Sequence, residues 1–123
     1  MYEFLPQTEG NLAGVRIHGK LSREDIEAIV KRLEGMIDQS GQLRLLVHLD
    51  HWKGAELMAF AEDMMFLLRH IKDLIALAVV GDHAWEKWWL ELGGLMVKAR
   101  TKYFEADEMQ QAWHWIQTVP PRS

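Results

Sequence analysis

The amino-acid sequence predicts one α/β domain with a mostly parallel, mixed sheet. Two short segments, 43–49 and 75–80, are almost wholly apolar, which is typical of strands covered on both faces. They alternate with segments of helical periodicity, and this alternation requires crossover connections between parallel strands. The chain has 123 residues, enough for one hydrophobic core and too few for two. We therefore interpret residues 1–123 as a single domain.

The N-terminal segment is predicted to add an antiparallel hairpin at the edge of that sheet. Two apolar runs, 2–5 and 12–18, flank a short polar turn at Gly10 and Asn11. Strand-like runs joined by a turn of this kind are typical of a β-hairpin.

A helix is predicted to follow the hairpin. Ser22 and Asp25 form an S-x-x-D variant of the capping box, which indicates where the helix begins. Gly41 suits the left-handed position just beyond a helix, so the helix should end at Ser40. Apolar residues at helical spacing define its inward face: Ile26, Ile29, Val30, Leu33 and Ile37.

The remaining elements complete the order β-β-α-β-α-β-α-β-α. Asp82 is expected to cap the helix that follows the second apolar strand. In the last helix we expect Trp115 to lie off the inward face that Ala112, Trp113 and Ile116 form together with Met109. The predicted ranges are a strand at 43–49, a loop at 50–54, a helix at about 55–72, a strand at 75–80, a helix at about 84–98, a strand at 101–104 and a helix at 107–117.

Composition excludes several classes of function. The net charge of −4 argues against a dedicated nucleic-acid binder. The chain has no cysteine, which excludes disulfides, thiol catalysis and cysteine-based zinc sites. We find no targeting signal and no apolar run long enough to span a bilayer, and we expect a soluble, cytoplasmic protein.

Two Asp-His pairs are the candidates for chemistry. Asp50-His51 and Asp82-His83 both follow apolar strands, and open α/β sheets bind ligands beyond the carboxyl ends of such strands. The pairs could form a metal site or an acid–base pair. Alternatively, both aspartates cap the following helices and both histidines are solvated. The spacing matches no metal, phosphate-binding or nucleophile motif, so we assign no catalytic residue, no metal ligand and no cofactor.

The most unusual feature is a surplus of large apolar side chains, because the chain has 6 Trp and 7 Met. In the 55–72 helix one apolar stripe suits the sheet, yet Met58, Met65 and Phe66 are apolar as well. This helix is therefore apolar over most of its circumference, whereas a surface helix normally has a polar face. Tryptophans outside the predicted inward stripes include Trp52 in the 50–54 loop and Trp89.

Three interpretations of this surplus remain open. The first is a tightly filled core with some exposed aromatic side chains, which is common. The second is a homodimer interface, where Met, Phe and Trp are favoured. The third is a pocket for an apolar ligand with adaptable Met and flat Trp walls, and it is compatible with the second. Membrane-surface binding is disfavoured, because the 84–98 helix lacks a basic face.

Five short motifs along the chain occur in the same order in a known bacterial family. They are G-K-L-S-x-E-D at 19–25, R-L-L-V-x-L-D at 44–50, L-R-H-I-K-D at 68–73, A-V-V-G-D-x-A-W-E-K-W at 78–88 and Y-F at 103–104. From about Leu12 to Ile116 the sequence thereby resembles the SpoIIAA-like family, within the STAS fold and related in shape to the CRAL-TRIO lipid-binding domain. The resemblance implies a mixed sheet with helices packed against it, frequent dimers and a role in binding lipids or other apolar molecules.

One departure from the wider STAS pattern bears on function. Anti-anti-sigma factors with this fold carry a phosphorylatable hydroxyl in a D-S-S-G-like turn after the central strand. The matching stretch here, 50–56, contains neither Ser nor Thr. A phosphorylation switch is therefore not expected at this position. His51 or Lys53 could instead meet an anionic head group at the start of the helix.

The sequence thus predicts a non-catalytic binding module for a lipid-like or other apolar small molecule. The alternative is a protein–protein regulatory module, resembling an anti-sigma antagonist, that docks a protein partner through the 50–56 loop and the helix after it. We expect a homodimer and no nucleic-acid partner. The predicted ligand-binding residues are His51, Trp52, Lys53, Met58, Met65, Phe66, Trp85, Trp88 and Trp89.

Overall fold

A five-stranded mixed sheet organises the chain in the computed structural model, which describes residues 2–18, 22–50, 73–81 and 100–120. The strands lie in sequence order, with β1 antiparallel to β2 and the other three pairings parallel. This confirms the predicted class and the antiparallel edge. The described elements are β1 Tyr2–Phe4, β2 Leu12–His18, α1 Arg23–Ser40, β3 Leu43–Asp50, β4 Leu74–Gly81, β5 Arg100–Glu105, a 3₁₀ turn Ala106–Glu108 and α2 Met109–Thr118.

The predicted boundaries are correct to within a few residues. Asp50, expected in a loop, is the last residue of β3, because it pairs with His18 of β2. The last helix begins in a 3₁₀ turn rather than at Asp107. The helices predicted at 55–72 and 84–98, and the cap at Asp82, lie outside the described residues.

The hairpin turn forms where the sequence predicts it. Glu9 and Leu12 exchange two backbone hydrogen bonds of 2.8 and 3.0 Å around Gly10 and Asn11. Gly10 has a φ of +62°, which glycine adopts without the steric cost that a Cβ would bring. The turn therefore reverses the chain at residues 10–11.

Both predicted caps of α1 are confirmed. The Asp25 backbone N–H donates to Ser22 Oγ at 3.0 Å, and the Ser22 backbone N–H donates to Asp25 Oδ2 at 3.1 Å. At the other end Gly41 has a φ of +80°, and its N–H donates to the Ile37 carbonyl at 2.7 Å. These contacts satisfy backbone groups that the helix itself leaves without partners.

Successive side chains of a strand point to opposite faces of the sheet, so the buried strands present an apolar surface on each face. α1 packs on one of these faces and α2 on the other. α1 buries Ile29 and Leu33 against one face; Ile26, Val30 and Ile37 are only half-buried. The strand residues of that cluster are Ala13, Val15, Ile17, Leu43, Leu45, Val47, Leu49, Leu74, Leu77 and Val79.

α2 covers the opposite face. It buries Ala112 and Ile116, and its buried neighbours there are Leu46, Ala76, Ala78, Val80, Phe104 and Val119. The expectation that Trp115 lies off the inward face of the last helix is wrong, because Trp115 packs against this cluster. Its ring lies 5.9 Å from that of Phe104, between ring centroids, because β5 places Phe104 on this face. At Trp113 and Trp115, therefore, part of the surplus of tryptophan fills the core.

Arg44 fixes the end of α2 against the central strand. One of its terminal nitrogens, Nη1, donates to the carbonyls of Ile116 and Val119 at 2.9 and 2.6 Å. These carbonyls lie near the C-terminal end of the helix, where a cation is electrostatically favoured. No helix among the described residues is long and apolar enough to cross a bilayer.

Candidate functional site at the carboxyl edge of the sheet

The residues predicted to bind the ligand lie outside the described residues. The structure describes only the strands that precede these residues in the chain. β3 and β4 are neighbouring parallel strands that end at Asp50 and Gly81. Their carboxyl ends consequently meet at one edge of the sheet. The predicted residues are His51, Trp52, Lys53, Met58, Met65, Phe66, Trp85, Trp88 and Trp89.

An ion-pair chain crosses three strands at this edge. Arg16 of β2 donates from Nε to Asp50 Oδ2 of β3 at 3.1 Å, and its Nη2 donates to the same oxygen. Its Nη1 donates to Glu3 Oε1 of β1 at 3.0 Å. One guanidinium therefore links the edge strand to the central strand.

Strand register explains why these three side chains meet. Glu3 lies directly opposite Arg16 in the β1–β2 pair. Arg16 lies opposite His48 in the β2–β3 pair, which places Asp50 two residues further along the same face. Long side chains reach such diagonal neighbours across a sheet.

The partners of Arg16 differ in their access to solvent. The Asp50 side chain is 19% exposed, whereas that of Glu3 is 58% exposed. His18 lies opposite Asp50, with Nδ1 3.7 Å from Oδ2, at the outer limit of an ion pair. Hydrogen bonding to Asp50, and to a smaller degree to Glu3, raises the pKa of Arg16 above its usual value. The guanidinium is accordingly charged at every physiological pH.

A recess of about 330 Å³ opens beside this chain of charges, lined by Tyr2, Glu3, Arg16 and His18. Its volume lies at the lower end of the range for small-molecule sites. Because β2 is parallel to β3, His18 at the end of β2 brings the recess to the same edge as Asp50. The described part of the edge therefore holds a recess with a cation, a carboxylate, an imidazole and a phenol.

Of the two Asp-His pairs, only Asp50 is described, and its carboxylate is engaged by Arg16. His51, Asp82 and His83 lie outside the described residues, so the metal and acid–base interpretations stay hypotheses. Within the described ranges no three potential metal-ligating side chains are grouped, and no polar or charged residue is buried. The sequence did not indicate Arg16, Glu3 or His18 as site residues, because none of them belongs to a recognisable short motif.

Comparison with known proteins agrees with the fold. The model of the SpoIIAA-like family matches residues 12–117, a span that begins with β2 and ends one residue before the end of α2. A search of curated proteins and a search of solved structures return no match. The matched span takes in both strand ends that form the carboxyl edge, and it covers most of the chain. The chain therefore belongs to the SpoIIAA-like family.

Proposed function

We propose that this STAS-type module is a non-catalytic, cytoplasmic binding protein that holds a lipid-like or other apolar small molecule. The observation that carries the proposal concerns the chain just beyond β3. This central strand ends at Asp50, and the chain then enters a segment that is apolar on nearly every side of a helical projection between 57 and 68. Ligands of open α/β sheets bind beyond this edge.

The described interior supports binding rather than catalysis. Every buried side chain in it is apolar, and the charged groups at the carboxyl edge are partly open to solvent. Catalytic acids and bases usually owe their shifted pKa to burial or to uncompensated charges. Asp50 and Glu3 are instead each paired with Arg16.

The absence of a phosphorylatable residue favours a constitutive binder over a switch. β3 ends at Asp50, the position at which the phosphorylated turn of anti-anti-sigma factors begins. Residues 51–56 include no hydroxyl side chain. A phosphorylation switch at this position would need a hydroxyl side chain to carry the phosphate, whose added charge changes the surface that a partner binds. We therefore place ligand binding ahead of regulated docking.

A neutral apolar fluorophore tests the proposal without involving any head group. We expect N-phenyl-1-naphthylamine to bind the delipidated protein saturably. Met65→Asp should weaken this binding at least about tenfold, because desolvating a carboxylate costs several kcal/mol and 1.4 kcal/mol is a factor of ten. Fluorescence titration measures the affinity, and circular dichroism checks that the variant is folded.

Gln111→Asp is the matched control, since it adds the same charge on an exposed position of α2. It should leave the affinity unchanged. The proposal fails if the wild-type protein takes up no fluorophore, or if the two aspartate variants bind it equally well.

A second candidate is docking of a protein partner, and membership of the family favours it because STAS-type modules are often regulatory. The apolar surplus would then cover a partner, or a second copy of the chain in a homodimer. The same titration separates the candidates: a folded protein that binds no apolar fluorophore leaves docking as the better account.

A further inference from the structure

Arg16 presents two different edges to its surroundings. Nε and Nη2 both donate to Asp50, a mostly shielded carboxylate on the central strand. Nη1 donates to Glu3, and Arg16 and Glu3 both line the recess. A guanidinium carries five N–H donors in a fixed plane. The two hydrogen bonds to Asp50 therefore fix the orientation of this plane, and Nη1 is left to bind Glu3 at the recess.

The ion pair between Glu3 and Nη1 of Arg16 is weak. It belongs to the three-residue edge strand β1 and its side chain is more than half exposed. Ion pairs of this kind contribute little, because solvent competes for both groups and long side chains lose entropy on pairing. An incoming oxyanion can replace Glu3 at a small cost.

We propose that the recess lined by Tyr2, Glu3, Arg16 and His18 binds the oxyanion head group of the apolar ligand. The head group is a carboxylate or a phosphate, Arg16 is its counter-ion, and Glu3 occupies the place of the head group in the free protein. This inference rests on the proposed function, since it assigns the polar end of the same ligand. Tyr2 and His18 line the recess as further hydrogen-bonding groups.

The charges of the cluster set the sign of the expected effects. Arg16 would stay paired with Asp50, so the displaced Glu3 would be a negative charge next to the bound head group that Arg16 no longer neutralises. It opposes binding of an anion. Removing the charge of Glu3 should therefore strengthen oxyanion binding, whereas removing that of Arg16 should abolish the preference for an oxyanion. A gain of affinity cannot result from misfolding.

Displacement of N-phenyl-1-naphthylamine by three ligands with the same tail tests the inference: dodecanoate, dodecyl phosphate and neutral 1-dodecanol. With the wild-type protein at least one of the anions should compete about tenfold better than the alcohol, as charge-assisted hydrogen bonds of this strength imply. The tighter of the two anions identifies the head group. The ratio of anion to alcohol affinity should fall to about one in Arg16→Met and rise about threefold or more in Glu3→Gln.

Arg44→Met is the matched control, because Arg44 lies on the same face of the sheet toward the opposite end of β3, and its guanidinium donates to the carbonyls of Ile116 and Val119. It should lower stability without changing the ratio. The inference is wrong if anions and alcohol compete equally in the wild type, if the ratio survives Arg16→Met, or if the ratio does not rise in Glu3→Gln. A wild-type protein that takes up no fluorophore would instead overturn the proposed function itself.

Discussion

Replacing Ile116 with alanine is expected to lower the free energy of unfolding by about 2–5 kcal/mol. Ile116 is fully buried, and it anchors α2 to the face of the sheet formed by Leu46, Ala78 and Val80. Truncation removes transfer free energy and leaves a cavity, since residues on a rigid sheet collapse into the space only partly. Urea denaturation followed by circular dichroism measures the change.

Gln117→Ala is the control for this prediction, because Gln117 is the exposed neighbour on the same helix. Its effect should stay within about 0.5 kcal/mol. Equal effects of the two substitutions would show that α2 does not pack through Ile116, and the two-faced arrangement of the sheet would then be wrong.

Gly14→Ala is expected to destabilise the protein by about 1–3 kcal/mol through overpacking. A Cβ at this position would lie 2.4 Å from Cη2 of Trp113 and 3.2 Å from Cδ1 of Leu5. Gly14 therefore makes room for the indole ring of α2 on β2. Thermal unfolding measures the loss, and it should be smaller when Trp113 is replaced by leucine, because the clash is with the ring.

Gly35→Ala provides a matched control with the opposite sign. Gly35 lies inside α1, and a Cβ there would meet no atom within 4 Å. Alanine should raise stability by about 0.5–1 kcal/mol, because it loses less conformational freedom in a helix than glycine does. Unchanged or increased stability in Gly14→Ala would contradict the packing described around Gly14.

The parts of the fold that sequence predicts correctly are those with local signals. Ser22 and Asp25 are three residues apart, so their capping box can be found by inspection. Gly41 ends the same helix through its own left-handed conformation. The apolar runs of β3 and β4 are likewise continuous in sequence. Each of these features depends on neighbouring residues alone.

The register of the hairpin could not be predicted in the same way. Glu9 pairs with Leu12 beside the turn, but Phe4 pairs with Val15, so the first arm contains two more residues than the second between these pairs. The extra residues are accommodated near Thr8, whose Oγ1 accepts from the Gly14 N–H at 3.0 Å. Counting outward from the turn would therefore have paired the wrong residues.

The polar cluster at the carboxyl edge escaped prediction for a related reason. Glu3, Arg16 and Asp50 come from three strands, and they meet only through the registers of two strand pairs. The position of Trp115 on Phe104 likewise depends on where β5 lies relative to α2. By contrast, the apolar residues predicted to bind the ligand follow from a surplus of apolar side chains along predicted helices, and they stay a prediction because they lie outside the described residues.

Native mass spectrometry of gently purified protein, followed by organic extraction, is the most direct test of ligand binding. We expect a homodimer that carries a discrete extra mass, and this mass should extract as a lipid-like molecule. Delipidated protein should regain the mass when incubated with the extract. A protein that is empty as purified and stays empty after this incubation, whether monomer or dimer, would contradict ligand binding and assign the surplus of Met and Trp to subunit contacts or to the core.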